Sequence, residues 1–119
     1  MKYGIFGTFS FGDTHEHLST FELLKNGFFT GTIDVDEKGN FTGELEDCYG
    51  KSNIKGFLDQ KEISFEKEYL SPSKNKFKCT CFRREVFASW AGFWEFTGPN
   101  PNNEEHKGQT ICSLFLPND

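Results

Sequence analysis

Fifteen of the 119 residues are phenylalanine, and most fall on alternating positions in short runs broken by glycine and charged turns. A large apolar side chain at every second residue suits a pleated strand with one buried face, and it does not suit a helical stripe. Many such runs in one chain demand a sheet that curls or stacks on itself, because only then do the rings leave water. Hydrophobic residues make up 35 % and aromatic residues 17 %. The core is therefore built from few, large side chains. A chain of this length buries one such core and not two, so residues 1–119 form a single domain.

The runs follow one another closely. Phe29, Gly31, Ile33 and Val35 alternate with Thr30, Thr32 and Asp34, and residues 36–40 form a turn in which Gly39 is free to take positive φ. Phe41, Gly43 and Leu45 make the return strand. Beyond a turn at Tyr49-Gly50-Lys51 come Ile54, Gly56 and Leu58, and beyond Asp59-Gln60-Lys61 come Ile63, Phe65, Lys67 and Tyr69. Residues 71–75 turn again into Phe77, Cys79 and Cys81. Residues 86–96 are densely aromatic, with Trp90, Gly92, Trp94 and Phe96 on one parity. Two prolines and three asparagines make residues 98–105 a loop, and residues 109–116 form the last strand.

The first quarter of the chain leaves two readings open. Residues 3–11 fit a strand. Ser19-Thr20-Phe21-Glu22 has the spacing of a capping box and Asn26-Gly27 suits a helix stop, so residues 20–25 fit either a helical turn or a short strand. The total is about eight strands at roughly 8–12-residue spacing joined by hairpin-length turns. Consecutive order favours an eight-stranded antiparallel up-and-down β-barrel, whose closure removes exposed edges.

The segment Gly31-Thr32-Ile33-Asp34-Val35-Asp36-Glu37-Lys38-Gly39-Asn40-Phe41-Thr42-Gly43-Glu44-Leu45 resembles the avidin-like branch of the calycin barrels. Avidins carry a similar strand–turn–strand with a Gly-x-Phe-Thr-Gly run, here residues 39–43. The later strands match in order and length over residues 28–116. The resemblance implies a barrel with a possible cavity. It carries over no biotin-binding residue, because the ligand-contacting Tyr expected two positions after Gly43 is Leu45.

Several function classes are disfavoured. The net charge is −5, the wrong sign for a phosphate backbone, although Lys74, Lys76, Lys78, Arg83 and Arg84 interleave with Phe77 and Phe82 as in single-strand binders. One solvated strand face explains them, and nucleic acid is not expected. No stretch approaches the roughly 18 apolar residues of a membrane helix, and the N-terminus lacks a signal-peptide pattern. The chain therefore reads as cytoplasmic, with Cys48, Cys79, Cys81 and Cys112 as thiols.

No metal or cofactor is expected. Asp34-x-Asp36-x-Lys38-Gly39 touches the calcium-loop pattern, but Lys38 and Leu45 occupy ligand positions and a hairpin turn explains every residue. Asp13, His15 and His17 would share one face of an extended segment and are proper Zn²⁺ ligands, yet a polar loop explains them equally. Cys79-x-Cys81 lacks zinc-knuckle spacing and reads as two small buried side chains. No nucleophile elbow or phosphate loop is present, and His106 sits in the Asn-rich loop, so catalysis has the least support.

If Ile63 and Phe65 point inward, so do Lys67 and Tyr69. A lysine in a barrel needs a partner or an open mouth. Lys67, Tyr69, Trp90 and Trp94 are thus the candidate ligand-binding residues, the lysine meeting an anionic head group and the rings an apolar body. The expected function is non-catalytic binding of a small, partly apolar molecule. The alternatives are a filled barrel acting as a protein-interaction or assembly module through an aromatic surface around Phe93 to Phe96, with a homo-oligomer among the expected partners, and an enzyme working at the barrel mouth.

Overall fold

A computed structural model of the protein describes residues 1–10, 27–72, 74–84, 89–98 and 107–116. The eight strands are β1 (Lys2–Phe9), β2 (Phe28–Val35), β3 (Asn40–Asp47), β4 (Gly50–Leu58), β5 (Glu62–Tyr69), β6 (Lys76–Arg83), β7 (Ser89–Gly98) and β8 (Lys107–Phe115). Each pairs antiparallel with the next, and β8 returns to β1 through pairs such as Phe6 with Ser113. The result is a closed up-and-down barrel, as the consecutive hairpins require. The possible helical turn at residues 20–25, the His15 and His17 segment and His106 lie outside the described residues.

Aspartates organise the tight turns. Asp36 Oδ1 accepts the backbone N–H groups of Lys38 and Asn40 at 2.8 and 3.0 Å, and Gly39 takes φ +95°. The carboxylate that brushed against a calcium pattern is thus engaged in turn chemistry. Asp59 repeats the device, with Oδ1 accepting from Lys61 and Glu62 at 2.7 and 2.8 Å. Those two backbone donors hold its carboxyl below the usual carboxylate value.

The inward parity follows the alternation. Ile5, Ile33, Phe41, Leu45, Ile54 and Ile63 are all buried, as are Phe65, Cys79, Cys81 and Cys112. Glycine appears inside where strands crowd: a Cβ on Gly92 would overlap the Thr80 carbonyl oxygen and press on the Cys81 backbone. Gly92→Ala should therefore lower the unfolding free energy by about 1–3 kcal/mol, the usual effect of overpacking. A urea midpoint indistinguishable from wild type would contradict that reading of the curvature.

The phenylalanines divide unexpectedly. Phe9, Phe29, Phe41 and Phe65 fill the barrel, whereas Phe6, Phe28, Phe57, Phe82, Phe93 and Phe115 stand on its outer wall. More of the named phenylalanines stand outside the barrel than fill it.

Candidate ligand-binding cavity

One end of the barrel, where β1, β3, β5 and β7 finish, opens into a cavity of about 680 Å³. That volume falls in the range of small-molecule sites. Phe9, Phe29, Leu45, Phe65, Phe77 and Trp94 supply apolar walls. Phe77 stands edge-on to three neighbours, with ring centroids 5.8 Å from Tyr69, 5.5 Å from Trp94 and 5.3 Å from Phe96. Such edge-to-face packing fixes ring orientation as well as burying area. Trp94 is pinned further by its Nε1–H, which donates to the Ser10 carbonyl at 3.0 Å. Thr110 likewise spends its hydroxyl on the Thr8 carbonyl at 2.9 Å.

The polar part of the cavity is a cluster built from two strands that are not neighbours. Lys67 and Tyr69 are two residues apart on β5 and so face the same way. Asp47 ends β3, and the β4 residues between them, Gly50 opposite Asp47 and Ser52 opposite Tyr69, are small. That gap lets one carboxylate oxygen, Asp47 Oδ2, accept from Lys67 Nζ at 2.5 Å and from the Tyr69 hydroxyl at 2.6 Å. The other oxygen accepts the Tyr49 backbone N–H at 2.8 Å. The Asp47 side chain is 0 % exposed and that of Lys67 9 %, so each charge depends on its partner. The Lys67 ammonium also sits 4.5 Å from the Tyr69 ring centroid and 5.7 Å from that of Phe9, within cation–π range.

Burial, then the hydrogen bond to Asp47, pushes the Tyr69 hydroxyl far above its ordinary value. It stays a neutral phenol. Cys79, on the cavity wall, is pushed up to about 12 by burial. Its thiol is protonated across the physiological range and a poor nucleophile. Cys81 shifts in the same direction through a hydrogen bond with Cys112 and burial. Only Cys48 is exposed. At pH 8, iodoacetamide should therefore label one thiol in the folded protein and four after denaturation, counted by intact mass. Rapid native labelling of Cys79 would show a more open cavity than the structure has.

Of the four candidate residues, Lys67, Tyr69 and Trp94 line this cavity together and Trp90 does not. Trp90 lies beyond Gly92 toward the opposite end, opposite Arg83 and Cys112, with the Arg83 guanidinium 5.8 Å from its ring centroid. Sequence reading missed Asp47, the last residue of β3. It also missed Asn75, a cavity-lining residue whose Oδ1 is buried without a hydrogen-bond partner. Among the described residues no cluster of three His, Cys, Asp or Glu side chains could hold a metal.

No protein-family model and no curated protein sequence matches the chain. A solved structure does: EF1p2_mFAP2b bound to DFHBI has a TM-score of 0.57 and 8 % identity, over 98 % of this chain and 91 % of that one. The likeness is one of fold, and the protein in that structure is bound to DFHBI.

Proposed function

We propose that the protein binds a small, partly apolar molecule non-catalytically in the open end of its barrel. The observation that carries this reading is the cavity itself: aromatic walls enclosing one internally neutralised polar cluster. Because Asp47 balances Lys67, the cavity favours an uncharged aromatic body over a full anion. Lys67 gives one of its three N–H bonds to Asp47, which leaves donors for a carbonyl or ether oxygen of the ligand. A catalytic role has less support, since Lys67 and Asp47 are committed to each other and the Tyr69 and Cys79 protons are held tightly.

The hairpin resemblance to avidin-like calycin barrels supports the same reading, with a ligand other than biotin: Leu45 puts hydrocarbon on the cavity wall where avidins have a ligand-contacting tyrosine. The four thiols support a cytoplasmic location. The test is fluorescence titration with Prodan, an uncharged naphthalene bearing one carbonyl. We expect saturable one-to-one binding with a blue-shifted emission, abolished by Cys79→Phe, which fills the cavity while keeping an apolar wall. Binding that survives Cys79→Phe in a folded protein would place the dye elsewhere and remove the proposal's support.

A further inference from the structure

Among the described residues, Lys67 brings the one amine to the cavity wall. Tyr69 closes β5, so Lys67 lies two residues in from the end of that strand, about 7 Å along it. Its Nζ sits 4.5 Å from the Tyr69 ring centroid and 5.7 Å from that of Phe9, both rings of the wall. The counter-ion stands elsewhere: Asp47 is fully buried and is not a lining residue, so it reaches the amine without occupying the cavity. Competing nucleophiles on the wall are quiet. Burial holds the Cys79 thiol up at about 12, and the Tyr69 phenol keeps its proton in the bond to Asp47. Hydrocarbon in place of a buried ion pair is often neutral or stabilising, so stability alone does not account for this one.

We propose that Lys67 captures an uncharged aromatic aldehyde as a protonated Schiff base, an inference that rests on the cavity being the ligand site. Lysine amines form such imines with carbonyl compounds. The step balances within the cluster. Lys67 passes one ammonium proton to Asp47 Oδ2, and its freed electron pair forms a C–N bond to the aldehyde carbon as the carbonyl π pair moves to oxygen. That oxygen takes a second proton from the nitrogen. Asp47 then returns its proton to the resulting hydroxyl, the C–O bond breaks, and water leaves while the nitrogen pair makes the C=N bond. Ammonium and aldehyde become iminium and water, with no oxidant or reductant and no net change of charge. Charge conservation is the reason an aldehyde suits this cluster. The iminium N–H takes the ammonium's place on Asp47 Oδ2, so the buried carboxylate keeps its partner. A carboxylate ligand would instead leave three charges where the cavity balances two. The apolar walls hold the aromatic body and keep water scarce around the C=N bond.

The test uses the aldehyde analogue of Prodan, in which an aldehyde replaces the propionyl group. It is added in limiting amount to the full chain with cyanoborohydride, and the product is read by intact mass and peptide mapping. The expected product carries one addition, of the aldehyde's mass less one oxygen atom. Lys67 is labelled at least about 100-fold faster than any surface lysine, a small part of what holding two reactants together can give. Before reduction the bound dye absorbs to the red of the free aldehyde, because a cationic iminium withdraws electrons more strongly than a carbonyl. Prodan, whose aryl ketone condenses poorly, blocks the reaction. Lys67→Arg keeps the charge and abolishes it, with far-UV circular dichroism unchanged. The wild-type map decides without any variant: labelling spread over surface lysines at similar rates overturns the inference. If the aldehyde displaces Prodan and Lys67 is unmodified after reduction, the Schiff base is overturned and the cavity stands as the ligand site. If neither dye binds, both fall.

Discussion

Asp47→Ala should lower the unfolding free energy by about 3–5 kcal/mol, because it strands the Lys67 ammonium inside the barrel. Lys67 is 9 % exposed at its side chain, and among the described residues Asp47 is the carboxylate that balances its charge. The same substitution leaves the Tyr69 hydroxyl and the Tyr49 N–H without their acceptor. Removing both charges is a different matter, since the cost of desolvating the ammonium disappears with it. The double variant Asp47→Ala/Lys67→Met should recover most of the loss, a coupling that a double-mutant cycle in urea reads directly. A single-variant loss under about 1 kcal/mol would mean that water reaches the pair, as it does for surface ion pairs.

The two tryptophans should separate stability from binding. Trp90 and Trp94 are both buried, so alanine at either site should remove about 3–5 kcal/mol of stability. Their effects on ligand differ by position. Trp94 forms a cavity wall edge-on to Phe77, so Trp94→Phe should weaken Prodan binding about tenfold, the upper worth of one aromatic contact. Trp90→Phe should leave binding within about twofold, because Trp90 packs toward the other end of the barrel. Equal weakening by both would show that the ligand runs the length of the barrel.

These expectations mark where sequence reasoning reached its limit. Strand order and inward parity were legible because Phe41, Gly43 and Leu45, or Ile63, Phe65 and Lys67, alternate without interruption and each hairpin has its own turn residues. Parity, however, carries no height. Trp90 and Trp94 share a face, but four residues of strand separate them by about 13 Å along the barrel, enough to put one in the cavity and one outside it. Asp47 was hidden for a different reason. Its turn contact with Tyr49 explains an aspartate there without remainder, and its reach to β5 exists only because closure bends β3 toward β5 across small residues of β4. The outward phenylalanines were hard to assign in β1, where Phe6 and Phe9 fall on opposite parities and either could have been the buried one.

Native mass spectrometry of freshly purified protein, followed by denaturing extraction, tests the binding account most directly. The account expects an added mass per chain that is released on unfolding, belongs to an uncharged molecule with an aromatic or similarly apolar body, and is missing from Cys79→Phe. A bare 13.7 kDa polypeptide mass per chain, still bare after incubation with Prodan, would contradict it and leave the barrel a filled scaffold.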